Sequence, residues 1–400
     1  MKIAFQTFGC RLNRAETLDL ESQYAAAGHE TMHLPQAADG KSIEPDAVIV
    51  RCCSVTAKAQ KDCEKKIQQL ACRFPKAEIL TVGCHPNAKP IPAHLLPPAL
   101  PDSITPVNRQ LSRAYLKVQD GCSGKCAFCI VPAFRGAPRS ISLAQAVGQC
   151  KAYIDSGFRE INVTGCNLCL YNDGGKRLPD LVAALAGIDS PGHRIRLGSI
   201  EPGLCDKTLV DAMAAHQNVC RFIHISLQSA SDRVLRRMHR PYTIEQVRDF
   251  CSYARTRLGG RLALGADVIA GFPGETEKDF DETKEFLADS PIANFHVFPY
   301  SEREGTEGAT MAPAIPPETR RRRAKELESI GIANREKFAG TFIGSEVQVC
   351  IEKDGNGYSD EYLHCILEGT APRRSIVTAN VTDYSPKNHS LFATICTQQQ

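Results

Sequence analysis

The sequence predicts an α/β protein made of an N-terminal parallel α/β domain, a partial (β/α)6 barrel and a small C-terminal β-barrel. Two observations predict this organisation. Short apolar runs alternate with helical stretches as far as about residue 335, with a proline-rich break near residue 105. After residue 336 the helical pattern fades, and short segments separated by glycine and polar turns follow. With 400 residues, of which 42% are apolar, the chain is long enough for two or three hydrophobic cores.

Residues 1–105 form the first predicted domain, because short apolar runs alternate there with two helical stretches, at 15–27 and 56–74. The runs are typical of buried parallel strands and lie at residues 3–5, 47–50 and 79–82. The domain ends in a segment that predicts a linker, since proline interrupts helices. The prolines of this segment are Pro90, Pro92, Pro97, Pro98, Pro101 and Pro106.

Residues 106–335 form the second predicted domain, in which six candidate strands recur about every 30 to 45 residues. They lie at 115–118, 160–164, 194–200, 222–227, 262–269 and 294–299. This spacing fits a strand, a loop, a helix and a return loop, and six such units predict an incomplete (β/α) barrel. A doubly wound open sheet is the competing arrangement. In residues 336–400, short strands at 346–352, 361–367 and 391–397 predict the small β-barrel.

The composition bounds the chemistry. A net charge of +3 excludes a polycation as a whole, and 18 cysteines are many for a chain of this length. The first residues do not resemble a secretory signal, and no run of about 18 apolar residues predicts a membrane span. We therefore expect a cytoplasmic protein without a membrane partner. In that reducing compartment, metal binding or core packing explains the cysteines better than disulfides do.

Three cysteines follow the first barrel strand within eight residues, at Cys122, Cys126 and Cys129. Gly121 and Gly124 give this loop the flexibility to wrap one centre. A 4Fe–4S cluster held by only three thiolates keeps one iron open. The amine and carboxylate of S-adenosylmethionine (SAM) can chelate that iron, and electron transfer to the sulfonium would yield a 5′-deoxyadenosyl radical. The alternative is that Cys126 and Cys129 alone bind zinc or form a thiol–disulfide couple.

Three further cysteines, Cys10, Cys53 and Cys84, each follow a predicted strand of the first domain. Because carboxyl ends of parallel strands share one edge of a sheet, these thiols are expected to converge on a second cluster. The alternative is that each is a small buried hydrophobic residue.

The three-cysteine loop resembles that of radical SAM enzymes, and two such cysteine sets in this order resemble the methylthiotransferases over nearly the whole chain. The resemblance implies two 4Fe–4S clusters, SAM as radical source and methyl donor, and a low-potential electron donor. In that family the N-terminal cluster is implicated in supplying sulfur, and a methylthio group replaces hydrogen on an unactivated carbon. The resemblance also implies cofactor contacts, with turn glycines and ordinary loop residues as the alternative. These contacts are Phe128, Gly165, Ser199, Glu201, Gln228 and Gly271.

Residues 119–122, 227–232, 240–243 and 296–301 most resemble the branch that modifies N6-threonylcarbamoyladenosine beside the tRNA anticodon. Sister branches act on isopentenyl-adenosine in tRNA or on an aspartate of a ribosomal protein. A tRNA anticodon stem-loop is therefore the expected partner, without DNA, and a monomer is expected. A non-catalytic zinc and RNA-binding protein is the alternative from another class.

The chain also departs from this family. The family usually shows Asn-Thr before its second cysteine, whereas Arg51 and Cys52 stand here, so Cys52 rivals Cys53 as a ligand. Ala230 stands where glycine is common. The span from Cys84 to Cys122 is shorter than usual, which leaves the outline of the first domain open.

Three other segments have two interpretations each. The basic run at 320–323 is either a phosphate-binding surface or a solvated helix face. Residues 357–362, with Tyr358 and Tyr362, resemble part of the TRAM-like RNA-binding barrel of tRNA methylthiotransferases, where aromatic rings can stack on bases. Those tyrosines are alternatively core residues. The glycine-rich segment 270–276 lacks the lysine of a phosphate loop and predicts a tight turn.

Overall fold

The computed structural model describes residues 1–34, 44–97, 111–190 and 192–396. The predicted boundary at residues 105–106 lies outside these ranges, as do Pro98, Pro101 and Pro106 and much of the short span between Cys84 and Cys122. None of the helices in the described parts of the chain is both long enough and apolar enough to cross a lipid bilayer.

The N-terminal part contains a parallel sheet with the strand order β2-β1-β3-β4. Its strands are β1 (Lys2–Thr7), β2 (Glu30–His33), β3 (Ala47–Cys52) and β4 (Glu78–Gly83). Helices α1 (Arg11–Ala26) and α2 (Ala57–Arg73) connect them. Alternate residues of β1 enter two different cores, because Ile3 packs with Tyr24 while Ala4 packs with Val48 and Cys63. The sheet is therefore buried on both faces, as the apolar runs predicted.

The central part has eight strands. Six of them are parallel, and they lie side by side in the same order as in the chain. The strands of this part are β5 (Ala114–Lys117), β6 (Gln119–Asp120), β7 (Arg139–Ser140), β8 (Glu160–Thr164), β9 (Arg194–Leu197), β10 (Phe222–Gln228), β11 (Ala263–Ala270) and β12 (Ile292–Pro299). The sheets β5-β8-β9 and β10-β11-β12 are joined by parallel bridges from Ile195 to Val219 and from Ile200 to Ile225. A doubly wound sheet would reverse its strand order, so the partial barrel is confirmed. The strands β6 and β7 form a separate antiparallel pair.

The central part has eight helices in the described residues, and all but the first contribute side chains to the core on the outside of the partial barrel. They are α3 (Val131–Arg135), α4 (Leu143–Asp155), α5 (Leu178–Ala186), α6 (Lys207–Ala215), α7 (Asp232–Arg237), α8 (Ile244–Leu258), α9 (Glu277–Asp289) and α10 (Pro317–Gly340), with short 3-10 turns at Leu168–Leu170 and Glu307–Ala309. On β10, Ile223, Ile225 and Leu227 belong to the core that includes residues of these helices. Because side chains alternate along a strand, His224 lies on the opposite, lumen face.

The C-terminal part is a closed barrel of five strands in the order β13-β14-β15-β17-β16. The strands are β13 (Glu346–Ile351), β14 (Gly357–Ser359), β15 (His364–Glu368), β16 (Ile376–Ser385) and β17 (Ser390–Ile395). The barrel is the one predicted, but the prediction missed β14 and β16. It also began its second strand too early, because residues 361–363 form a turn in which Tyr362 has φ +65°.

The C-terminal barrel is fixed to one end of the partial barrel by buried arginines. Arg194 donates hydrogen bonds to the carbonyls of Gln348 and Tyr358, and Arg196 donates to those of Ser359 and Asp360. Both guanidinium groups also pair with the fully buried Glu160, at 2.6 and 2.9 Å. These bonds satisfy three charged side chains in the interior and orient the two barrels.

Candidate cluster and cofactor sites

The loop that carries Cys122, Cys126 and Cys129, called here the loop site, is shaped by two glycines. Gly121 has φ +70°, and a side chain there would place its Cβ 2.1 Å from the carbonyl oxygen of Ala137. The backbone N–H of Gly124 donates to the Cys122 sulfur at 3.3 Å. The backbone N–H of Cys129 donates to the Cys126 carbonyl at 3.0 Å, so the loop turns back on itself and gathers its thiols.

One arginine lies against the thiols of the loop site. Burial raises the pKa of Cys126, and it raises the pKa of Cys129 to about 11. The Arg240 guanidinium donates to the Cys126 sulfur at 3.0 Å and acts in the opposite direction. Arg240 also pairs with Glu201 at 3.2 Å. Three soft thiol ligands beside a fixed positive charge fit an anionic iron–sulfur cluster.

The six predicted cofactor contacts lie in the cysteine loop or at the carboxyl ends of barrel strands, and Glu201 shares the partner Arg240 with the loop site. Glu201 is buried and accepts a 2.6 Å hydrogen bond from Asn167 as well as the Arg240 contact. Ser199 is exposed, and Phe128 packs edge-on against Phe272.

The remaining three contacts have local structural reasons. Gly165 has no room for a side chain, because its Cβ would lie 2.9 Å from the side chain of Gln119. Gln228 and Gly271 both have positive φ, of +65° and +77°, where β10 and β11 end. Gly271 also contacts Arg320, and it begins the tight turn predicted for residues 270–276.

A second cysteine group, called here the strand-end site, consists of Cys10, Cys53 and Cys84. Gly9 precedes Cys10 and has φ +92°, and a Cβ there would lie 2.5 Å from the Cys53 Cβ. The loops after β1 and β3 therefore touch. Burial raises the pKa of Cys53 to about 11, and the charges of Cys10 and Cys84 act in the same direction.

Hydrogen bonds to backbone carbonyls tie the three loops of the strand-end site together. The buried Asn13 amide donates to the carbonyls of Phe8 and Cys52, both at 2.8 Å, and the N–H of Cys84 donates to the same Cys52 carbonyl at 3.2 Å. The side chain of Cys52 lies on the other face, in the core with Cys63. A hydrogen bond to Cys63, together with burial, raises the pKa of Cys52. Of the two rival cysteines, Cys53 is the one that shares space with Cys10 and Cys84.

A single guanidinium joins the two cysteine groups. Arg135, at the end of α3, donates to the Cys84 sulfur at 3.0 Å and to the Asn13 side chain at 2.9 Å. It also pairs with Glu16 at 2.8 Å and with Asp120 at 3.0 Å. Asp120 in turn accepts from the backbone N–H of Gly121, which begins the loop site. Sequence reasoning missed Arg135, because it lies 51 residues from the cysteine it contacts and belongs to no spaced motif.

The charges around Asp120 are balanced within this junction. Burial alone would raise the pKa of Asp120, but the hydrogen bonds and charges of Lys117 and Arg135 hold it well below its usual range. Lys117 also bonds Glu16 of α1, so the first barrel strand and the first helix share one ionic network. The network fixes the N-terminal sheet against the barrel beside both cysteine groups.

The basic run at 320–323 and the tyrosines at 358 and 362 have structural explanations. Arg320 and Arg323 are buried and pair with Glu302 and Glu275, both at 2.6 Å. The run is thus largely neutralised, and the phosphate-binding interpretation loses its main support. The rings of Tyr358 and Tyr362 stack on each other at 5.0 Å, and Arg113 and Arg196 lie over them. These contacts favour the core interpretation over a free stacking platform. 

Comparisons with known proteins bear on both cysteine groups. The model of the Radical SAM superfamily matches residues 116–287, and that of Uncharacterized protein family UPF0004 matches residues 2–97. Threonylcarbamoyladenosine tRNA methylthiotransferase MtaB of Aquifex aeolicus is 30% identical over 92% of this chain and 97% of its own length. The chain belongs to the radical SAM methylthiotransferase family. The family and the enzyme class predicted from the sequence are confirmed.

Other members of the family and more distant folds extend this picture. A tRNA-2-methylthio-N(6)-dimethylallyladenosine synthase of Chlorobium phaeobacteroides is 28% identical over 90% of this chain and 89% of its own. The solved structure of the radical SAM methyltransferase TsrM from Kitasatospora setae, with cobalamin and a 4Fe–4S cluster, has a TM-score of 0.53 at 15% identity. It covers 77% of each chain and shows a shared fold. As a member of the Radical SAM superfamily, this methylthiotransferase uses SAM and an iron–sulfur cluster.

Proposed function

We propose that this methylthiotransferase transfers a methylthio group to N6-threonylcarbamoyladenosine beside the anticodon of tRNA, with two 4Fe–4S clusters. The single observation that carries the proposal is the presence of two three-cysteine groups joined by Arg135. An enzyme that only cleaved SAM would need one of them. The name of the Aquifex aeolicus relative supports the choice of substrate.

In this proposal the loop site holds the cluster that binds SAM, and the strand-end site holds the second cluster through Cys10, Cys53 and Cys84. Cys122, Cys126 and Cys129 would hold the first cluster, which with SAM bound would supply radical chemistry for a carbon too weakly acidic for proton abstraction. Phe128, Gly165, Ser199, Glu201, Gln228 and Gly271 are proposed to line the SAM pocket.

The side chains around the two groups have separate tasks. Arg240 offsets the negative charge of the thiolates at Cys126 and is held in place by Glu201. Arg135 holds the loop of Cys84 against Asp120, so the two groups keep a fixed separation. Cys53 and Cys84 are buried, the three cysteines of the loop site are half-buried, and Cys10 is exposed. A bound cluster requires the thiolate form, so loading releases protons from thiols whose pKa burial has raised.

We assign three domains to these tasks: residues 1–105 carry the strand-end site, 106–335 carry the loop site, and 336–400 grip RNA. A low-potential donor delivers the electrons. The C-terminal part suits an RNA contact because small β-barrels present backbone and side-chain surface to single-stranded loops. The buried Arg194 and Arg196 fix its orientation over the partial barrel.

The test uses anaerobically reconstituted enzyme, SAM, a sulfur source, dithionite and tRNA from a strain that lacks the corresponding gene. After digestion, mass spectrometry should show the methylthio increment on N6-threonylcarbamoyladenosine, and the C126A variant should show none. An increment on isopentenyl-adenosine instead, or on a ribosomal protein aspartate, would move the enzyme to a sister branch. A colourless protein with one zinc per chain and no acid-labile sulfide would contradict the catalytic assignment altogether.

A further inference from the structure

A polar cluster that contains no cysteine lines the lumen of the partial barrel. It consists of His224 on β10, Asp267 on β11 and His296 on β12, one from each of three neighbouring strands. Nε2 of His224 and Nδ1 of His296 lie 3.0 and 3.2 Å from the same Asp267 oxygen. The neighbours of Asp267 on β11, Ala266 and Val268, face the helices in the core, so the three polar side chains face inward.

The backbone is built to admit this cluster. His224 is 6% exposed, and its ring lies directly over Gly265, where an added Cβ would be 2.6 Å from Nδ1. The rings of His224 and His296 approach to 5.1 Å between centroids. A glycine at this strand position costs stability unless a close approach requires it. The glycine at position 265 therefore leaves the space that the His224 ring occupies.

The charge of Asp267 decides which ring nitrogens of the two histidines carry a proton. Burial would raise the pKa of Asp267, but the hydrogen bonds from His224 and His296 hold it well below its usual range. An ionised carboxylate only accepts hydrogen bonds, so Nε2 of His224 and Nδ1 of His296 must each carry a proton. The other nitrogen of His296, Nε2, is then the group that the cluster offers to a ligand.

A ligand of nucleotide size can reach this nitrogen. The side chain of His296 is 55% exposed, and the neighbouring ring of Phe298, also on β12, is 43% exposed and packs against it. His296 also borders a cavity of about 430 Å³ that lies between the two barrels. An exposed aromatic ring beside an orienting hydrogen-bonding group suits a stacked base with a polar substituent.

The relatives of this protein are named for two different modified adenosines, and the chemistry of the cluster distinguishes between them. A dimethylallyl group is a hydrocarbon and would leave Nε2 of His296 without a hydrogen-bond partner after water is expelled, whereas Asp267 would keep its bonds to His224 and His296. A threonylcarbamoyl group carries urea, hydroxyl and carboxylate functions that can bond His296. Sites built for hydrogen bonds reject an analogue that lacks them, because their own polar groups are left unpaired.

We propose that His224, Asp267 and His296 form the subsite that binds the polar N6 substituent of the target adenosine, with Phe298 stacking on its base. The inference rests on the proposed function and goes further, because it assigns the choice of substrate to three residues of the lumen wall. His296 is the contact residue, whereas Asp267 and His224 position it.

The experiment measures binding to three anticodon stem-loop RNAs that differ only at one adenosine, which is unmodified, threonylcarbamoylated or dimethylallylated. Fluorescence anisotropy with the reconstituted full chain needs no turnover. We expect the wild type to bind the threonylcarbamoyl RNA about tenfold more tightly than the other two. His296→Phe should abolish this preference while leaving the affinity for unmodified RNA within about twofold, and His296→Gln should restore part of it.

His94→Phe serves as the matched control, because His94 also bonds a carboxylate, that of Glu78, but in the N-terminal part. It should keep the preference. Iron content and the thermal midpoint check that each variant is folded, and if His296→Phe fails this check, His296→Gln and Phe298→Ala carry the test. A preference that survives in the folded His296 and Phe298 variants overturns the proposal.

Two further outcomes are distinguishable. If the wild type shows the binding preference but methylthiolates none of the three RNAs, the proposed function fails and the subsite stands. The three ligand atoms also lie close enough together to hold a divalent metal ion. Loss of one zinc or iron per chain in the His296→Phe variant, with RNA preference unchanged, would replace the substrate subsite with a metal site.

Discussion

The two cysteine groups are built in opposite ways. The loop site lies within eight residues, and glycines at 121 and 124 shape its loop. The strand-end site takes one cysteine from each of three loops that parallel strand topology brings to one edge, tied by the Asn13 side chain and the backbone of Cys84. The difference teaches that the loop site leaves a spacing visible in the sequence, whereas the strand-end site forms only when the folded sheet brings three distant loops together.

The largest expected effect is on SAM cleavage, which should depend on the loop site but not on the strand-end site. Cys126→Ala removes a ligand of the cluster that binds SAM, so SAM cleavage with dithionite should fall below detection. Cys53→Ala removes a ligand of the other cluster and should retain SAM cleavage within about threefold of the wild type while abolishing methylthiolation. Product analysis by chromatography measures both. Equal loss of SAM cleavage in the two variants would contradict the separation of tasks.

The next effect is a loss of stability when Arg135, which joins the two cysteine groups, is removed. Arg135→Ala leaves Glu16 and Asp120 without one buried partner, although Lys117 still pairs with both. We expect a loss of about 2 kcal/mol in the free energy of unfolding, less than for an isolated buried pair. Urea unfolding of the N-terminal sheet measures it.

The control for this prediction is Arg139→Ala. Arg139 also pairs with Asp120, at 3.4 Å, but its side chain is 64% exposed. Its loss should cost less than about 0.5 kcal/mol. Similar costs for the two variants would show that Arg135 does not hold the groups together.

A smaller effect depends on pH. Burial raises the pKa of Asp19 on α1 to about 6, despite the opposing charge of Lys117. A carboxyl whose pKa is higher in the folded state favours folding when protonated, so this group weakens the fold as the pH rises from about 4 through 6. Asp19→Asn should therefore raise stability by about 1 kcal/mol at pH 8 and leave it unchanged at pH 4. Thermal midpoints across this range test it, and a stabilisation that is equal at both pH values would contradict the assignment.

The sequence predicted those features that leave a local pattern. All six parallel barrel strands were found, because they recur about every 30 to 45 residues and each is followed by a helix. The short edge strand β2 was missed because its four residues, from Glu30 to His33, are largely polar and only half-buried or exposed. The ten-residue β16 was missed because its alternation of buried and exposed residues is short and is broken by a register shift between Val381 and Asp383.

The features that could not be predicted depend on contacts between distant segments. Arg135 meets Cys84 and Glu16 across the junction of two domains, and no spacing rule links these positions. The lumen cluster joins His224 and His296 through Asp267, which requires the register of three parallel strands. His296 did stand in a segment singled out by resemblance, but only the folded strands give it a partner.

Iron and acid-labile sulfide content per chain tests the central claim, that two distinct cysteine groups each hold a cluster. The neighbouring Cys52 and Cys53 provide the comparison, because Cys52 lies in the core with Cys63 while Cys53 faces the strand-end site. Anaerobically reconstituted wild type should contain about eight irons per chain, Cys52→Ala about eight and Cys53→Ala about four. About four irons in the wild type and no difference between the two variants would contradict the account.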